Sequence, residues 1–219
     1  MFYDIEQNID AWLDMRAGKV TGSAIAKIMA NFGKAFGQPA KDYAATLATE
    51  RLRGARITGD RYNNKHMEAG HVEEPMALAL FEHKTGKTVA GGGFYDNGKT
   101  GCSPDGNILF ETAGIEIKSV VPHVFAKAKK DNVVASAYKW QVAFNIRECG
   151  YDYIDYITYC EQAFYKERVA VYHLGDEIKG DIVIVNVTKE NQADNIDMIN
   201  ERLAEFEKLV DEWMDILSN

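Results

Sequence analysis

Cysteine is scarce in this chain, and its placement excludes two classes of protein. The three thiols, Cys102, Cys149 and Cys160, are too few and too odd in number for a disulfide framework, and they lack the close paired spacing of a zinc knuckle. Reduced thiols packed in the structure are expected, and any metal here is a hard one. Proline is equally sparse, with four in 219 residues, which argues against long disordered linkers. No apolar run approaches the length of a membrane-spanning helix. The N-terminal Met1-Phe2-Tyr3-Asp4-Ile5-Glu6 has neither a basic nor an apolar leader region, so a cytoplasmic protein without membrane contact is expected. Positive charge is also in deficit, the formal net charge being −8. A protein held on DNA by phosphate neutralisation is usually basic, so a nucleic-acid role here requires a local basic path inside an acidic shell.

Familiar catalytic patterns are missing too. None of His66, His71, His83, His123 and His173 falls into His-Glu-x-x-His spacing. Gly101-Cys102-Ser103-Pro104-Asp105 ends in aspartate where a nucleophile elbow needs glycine, with no strand-to-helix transition after it. Gly91-Gly92-Gly93 lacks the spacing and the following helix of a phosphate-binding loop.

The elements that are present make one domain over residues 1–219, of the α/β class. Helical spacing predicts helices over residues 8–17, from Ala24 to Met29, from Asp42 to Leu52 after a loop at 31–41, and over 66–85. Pro75 fits the first turn of that last helix, with Gly70 to Glu74 as its entry, so that Glu74 points from a helix start. An acidic residue there either complements the helix dipole or has a functional use. The polar stretch Arg56 to Lys65, with Arg61, is a solvated loop or part of a DNA-facing rim. From Thr88 the pattern becomes extended: Thr88 to Tyr95, a turn at Asn97-Gly98, Thr100 to Ser103, Asn107 to Phe110 and Ile115 to Val121 read as an antiparallel meander. Helices at Val124 to Asp131 and Ala135 to Cys149 follow, then strands at Tyr153 to Cys160, Val169 to His173 and Asp181 to Val187. A long helix from Gln192 to Ile216 closes the chain, with Ile196, Ile199, Leu203, Phe206, Val210 and Trp213 on one face.

Within this frame Ser103-Pro104-Asp105-Gly106 and Ile115-Glu116-Ile117-Lys118 form the candidate site. A turn carries Asp105, and a strand presents Glu116 and Lys118 on one face while Ile115 and Ile117 point to the other. Two carboxylates and an ammonium so placed suit a metal-dependent phosphodiesterase; the same residues also suit a surface strand with an ion pair. Glu82-His83-Lys84 has the same spacing on a helix, where the two ends do not share a face. Glu177-Ile178-Lys179 has it in a polar turn between Gly175 and Gly180. Near the N-terminus, Ser23 precedes a helix that could receive a phosphate, with Arg16 as a bidentate partner, or else Ser23 is an N-cap and Arg16 a surface charge.

Several ordered motifs together resemble the phage lambda-exonuclease family of alkaline recombination nucleases, within the restriction-endonuclease-like superfamily. Asp10-Ala11-Trp12, Arg16, Gly18 and Thr21-Gly22-Ser23 look like that family's N-terminal box. Gly70 to Glu74 looks like its acidic helical motif, Cys102 to Gly106 with Glu116-Ile117-Lys118 like its catalytic core, and Tyr138 to Gln141 like its following helix. The resemblance implies a central mixed β-sheet flanked by helices. It also implies a Mg²⁺-dependent 5′→3′ exonuclease on linear double-stranded DNA, releasing 5′-mononucleotides and leaving 3′ overhangs for a single-strand annealing partner. A site-specific or structure-specific endonuclease, and a non-catalytic DNA-end-binding protein, are the alternatives on the same fold. By motif match, Asp105, Glu116 and the backbone carbonyl of Ile117 would bind a two-metal site that also accepts Mn²⁺. Glu74 would assist at the metal or its water, and Lys118 would orient or activate the water. Arg16, Ser23, Ser103 and Gln141 would bind the 5′-phosphate. A ring-shaped homotrimer enclosing DNA is implied as well, in the cytoplasm of a phage-infected or bacterial cell. The chain departs from the pattern before residue 66, where no strand-separating wedge is assignable. It departs again at Asn145, where the related Gln-x-x-x-Tyr motif has tyrosine.

Overall fold

Apolar residues recurring every three or four positions near the C-terminus form α7 (Ala193–Ser218), and its stripe organises one half of the core. Ile199, Leu203, Phe206 and Val210 pack with Ala44, Leu47 and Ala48, with Ile25 and Ile28, and with Ala143 and Phe144. Phe206 is fully buried, and a phenylalanine so placed contributes roughly 1.5–3 kcal/mol by leaving water. The computed structural model describes residues 1–57, 65–163 and 171–219, with residues 65–72 and 176 described by their backbone alone.

In chain order the elements are β1 (Phe2–Tyr3), α1 (Asp10–Met15), β2 (Val20–Thr21), α2 (Ile25–Met29), α3 (Gln38–Arg53), α4 (Lys65–Thr85), β3 (Val89–Gly91), β4 (Phe94–Asp96), β5 (Thr100–Cys102), β6 (Gly106–Ile108), β7 (Ala113–Ser119), α5 (Pro122–Asp131), α6 (Lys139–Cys149), β8 (Tyr153–Cys160), β9 (Tyr172–His173), β10 (Asp176–Glu177), β11 (Asp181–Thr188) and α7. The larger sheet runs β11-β8-β7-β6-β3 and the smaller one β1-β4-β5-β2, with β9 and β10 as a separate hairpin. β7 lies at the centre of the larger sheet, antiparallel to β6 and parallel to β8. The expected central mixed sheet flanked by helices is therefore the observed architecture, and the parallel pair is closed by the helical crossover α5–α6.

Four expectations need correction. Thr88 to Tyr95 is not one strand: β3 pairs with β6 in the larger sheet and β4 with β5 in the smaller one. The break falls at Gly91-Gly92-Gly93, where Gly93 takes φ +59° and the chain changes sheets. α3 begins at Gln38 rather than Asp42, because Pro39 occupies its first turn, where a missing N–H costs nothing. α4 runs through Pro75, so Glu74 stands inside a helix rather than at its start. A proline there removes one rung and leaves the carbonyl four residues earlier without its helical donor; the other rungs carry the helix past it. The supposed turn from Gly175 to Gly180 contains β10, paired with β9. Two-residue β2, which lies parallel to β5, is too short to show any period. Arg61 and the rest of residues 58–64 lie outside the described residues, as does Val169.

α4 covers one face of the larger sheet. Ala77, Leu80 and Phe81 meet Ile115, Ile117, Ile157, Tyr159 and Ile182 in a second core. At its edge the buried Asp181 ties three elements together, accepting from Lys84 of α4 at 2.7 Å, from Lys129 of α5 at 2.8 Å and from the Ile182 N–H at 2.8 Å. Burial alone would raise its carboxyl, but the bonds from Lys129 and Lys84 prevail and hold it below the usual range.

Candidate active site

Alternation along β7 sends Ile115 and Ile117 toward α4 and leaves Glu116 and Lys118 facing α6. Glu116 is only 1% exposed, and a buried carboxylate needs donors. It has three: Lys118 Nζ at 2.5 Å and Gln141 Nε2 at 2.6 Å on Oε1, and Asn145 Nδ2 at 2.9 Å on Oε2. Gln141 and Asn145 stand one helical turn apart on α6, which is why both reach the same side chain.

Asp105 is spliced onto the same strand. Its N–H donates to the Ile115 carbonyl at 3.1 Å, and its Oδ2 accepts from the Ile117 N–H at 2.6 Å. Burial first, and then the Asp105 charge, push Glu116 up to about 7. The same two causes in the same order push Glu74 up to about 7, with Lys118 opposing them. For Lys118 itself burial works against the charged form, yet Glu116 and Asp105 outweigh it and hold the ammonium above the ordinary lysine value. Its Nζ also lies 5.2 Å from the centre of the Tyr138 ring, a cation–π contact.

A second group adjoins the first. Trp12 Nε1 donates to Ser103 Oγ at 2.8 Å, the Arg16 guanidinium lies over the Trp12 ring at 4.1 Å, and Arg16 Nη2 donates to Ser23 Oγ at 3.3 Å. Burial lowers the Arg16 pKa, but a guanidinium stays charged at any physiological pH. The two groups meet at Gly22. A Cβ on that residue would fall 2.6 Å from Asn145 Oδ1 and 3.6 Å from Gln141 Cγ, so a side chain there would displace the Asn145 amide that donates to Glu116. Ser103, two residues before Asp105, joins them from the other side.

The sequence-derived residues thus fall into two contiguous sets: Glu74, Asp105, Glu116, Ile117 and Lys118 in one, and Arg16, Ser23 and Ser103 in the other. Gln141, expected with the phosphate set, gives its amide to Glu116 and lies between them. Sequence reasoning missed two members. Asn145 stood out only as a departure from a motif, although its spacing from Gln141 placed it on the same helix face. Trp12 falls in the helix predicted over residues 8–17 and in the N-terminal box, with nothing local to show that its indole reaches Ser103.

The donor chemistry fits a hard dication. Carboxylate oxygens are the ligands Mg²⁺ prefers, and two carboxylates lifted to about 7 by burial and by Asp105 are groups that a positive ion would return to the charged form. Among the described residues no three of His, Cys, Asp and Glu close into a ready-made metal cluster. The Lys118 ammonium partly compensates the negative charge instead.

The fold carrying this site is that of the alkaline exonucleases. An alkaline exonuclease (LHK-Exo) from Laribacter hongkongensis matches with a TM-score of 0.68 at 22% identity, covering 93% of this chain and 95% of that one. The structure of LHK-Exo in complex with dAMP matches at 0.69 and 23% identity, covering 96% and 98%. A phage related exonuclease from Haemophilus somnus 129PT matches at 0.60 and 17% identity, covering 91% and 96%. In sequence, residues 11–152 match the family described as the YqaJ-like viral recombinase domain, and the chain belongs to that family. No curated protein matches the chain by sequence. Among the described residues no helix is long and apolar enough to cross a membrane.

Proposed function

We propose that this protein is a Mg²⁺-dependent 5′→3′ exonuclease that degrades one strand of linear double-stranded DNA to 5′-mononucleotides. The observation that carries the reading is the continuity of the two sets: a carboxylate–lysine centre lies directly beside an arginine–serine group suited to a terminal phosphate. Family membership and the fold of the matched exonucleases support the same reading.

Asp105 and Glu116, with the Ile117 carbonyl, would hold the metal, and Glu74 would add negative charge beside them. Mg²⁺ held there would supply Lewis-acid activation of a water and charge stabilisation for the leaving oxygen. Lys118 directs its N–H bonds at the attacking water and the scissile phosphate, where charge develops. Arg16, Ser23 and Ser103 seat the 5′-phosphate and so set the register at one nucleotide from the end, while Gln141 and Asn145 keep Glu116 in place. In this reading the product is a 3′ overhang for a single-strand annealing partner. A homotrimer enclosing the duplex would reconcile the net charge of −8 with retention on DNA.

Linear and covalently closed circular duplexes, each with Mg²⁺ or EDTA, test the activity. Nucleotide release from linear DNA with Mg²⁺ alone is expected. Cutting of circles would make the protein an endonuclease, and binding of ends without consumption would make it an end-binding protein. Arg16→Ala is expected to remove the preference for phosphorylated over hydroxyl 5′ ends. The expected loss on phosphorylated ends is about 10- to 100-fold, the size of one charge-assisted hydrogen bond of ~1.5–3 kcal/mol. If the parent protein degrades both kinds of end at equal rates, Arg16 does not read the phosphate.

A further inference from the structure

Two of the three cysteines meet in space. Cys102 ends β5 and Cys149 ends α6, and their sulfurs lie 3.0 Å apart although 47 residues separate them in sequence. A disulfide places its sulfurs at about 2.05 Å, so closure requires a movement of about 1 Å. Both thiols are reduced in the structure. We propose that Cys102 and Cys149 form an oxidisable dithiol, a modification site at which peroxide-class oxidants staple β5 to α6.

The surroundings assign the two roles. Cys149 is partly exposed and Cys102 is fully buried, so an oxidant reaches Cys149 first. The Cys149 thiolate attacks one peroxide oxygen, the O–O bond breaks, and a sulfenic acid forms with loss of hydroxide. Cys102 then attacks that sulfur; the S–S bond forms, the S–O bond breaks, and the departing hydroxide takes the Cys102 proton as water. In sum two thiols and one hydrogen peroxide give one disulfide and two waters. Burial, and then the neighbouring Cys149 and Glu116, raise the Cys102 thiol above its usual value, which suits the thiol that resolves the sulfenic acid rather than the one that meets the peroxide. Cys160 serves as an internal control. It packs with Phe125 and Val183 in a different part of the core.

Location gives the bond a consequence. Cys102 directly precedes Ser103, and α6 carries Gln141 and Asn145, so the staple would join the two elements that frame the candidate site. It would also close a long loop of the unfolded chain, and the thermal midpoint is expected to rise by about 5–10 °C.

The experiment treats the reduced full-length protein with hydrogen peroxide and follows intact mass, non-reducing peptide maps and thermal melting. Loss of two hydrogen atoms, a Cys102–Cys149 cross-linked peptide and a higher midpoint that dithiothreitol reverses are expected. Cys160→Ser should leave all three unchanged; Cys102→Ser and Cys149→Ser should each abolish them. Peroxide that leaves the folded protein's mass unchanged, that adds oxygen atoms to Cys149 without a cross-link, or that links Cys160 would overturn the proposal. None of these readouts depends on nuclease activity.

Discussion

Lys118→Ala should lower the rate of Mg²⁺-dependent nucleotide release by roughly 10³-fold, the scale set by losing a positioned proton donor and a charge at the reacting centre. The variant should keep its fold, because Gln141 and Asn145 still donate to the buried Glu116 carboxylate once the lysine is gone, and Ile115 and Ile117 still anchor β7 in the core under α4. A purely structural lysine would behave differently from a catalytic one toward metal. In the resting protein the ammonium shares Glu116 Oε1 with Gln141, so it competes with any cation for that oxygen. Removing it should leave Mn²⁺ binding, measured by electron paramagnetic resonance, as tight as in the parent or tighter, while turnover collapses. Near-parental nucleotide release by Lys118→Ala, in single-turnover assays with saturating Mg²⁺, would remove the lysine from the mechanism.

The second large effect is structural and lies outside the charged residues. A Cβ on Gly92 would sit 1.7 Å from the carbonyl oxygen of Pro104 and 2.7 Å from its carbon. Both are backbone atoms with no rotamer to yield. That carbonyl is also held by Gln7 Nε2 at 2.8 Å, so the Ser103-Pro104-Asp105 turn is gripped on two sides. Gly92→Ala must separate the glycine corner from the turn, and a destabilisation of about 3 kcal/mol is expected, or roughly 6–12 °C in thermal midpoint for a chain of this size. Gly91→Ala is the control, since a Cβ there meets nothing within 4 Å. Circular-dichroism melts of the two variants check the contrast; equal midpoints would show that the corner and the turn are not in fixed contact.

Local periodicity is legible in this sequence, and contacts between distant segments are not. β7 was legible because a period of two is local, and its apolar partners Ile115 and Ile117 were as visible as Glu116 and Lys118. α7 was legible because six apolar residues repeat on one face. What stayed hidden depends on partners distant in the chain. Gly91-Gly92-Gly93 falls inside one predicted strand, Thr88 to Tyr95, until β3 and β4 are seen in different sheets. The indole of Trp12 finds Ser103 across 91 residues, and the two thiols meet across 47. Pro75 misled for another reason: the rule that places proline in a first turn weighs one lost hydrogen bond, whereas α4 has many others and a core face to bury. Asn145 was hidden by its own motif, since a departure from a family pattern draws attention to what is missing rather than to what the replacement can do.

The splicing of Asp105 into β7 has a thermodynamic meaning. Because its N–H and its carboxylate are both hydrogen-bonded to that strand, the separation between Asp105 and Glu116 is part of the sheet's own geometry and cannot widen to relieve repulsion. Folding therefore does work against like charges, and the metal-free native state holds that work as lost stability. If the site binds a cation as proposed, that cation would release it, and part of the affinity would be set in advance by the sheet, before any ligand arrives.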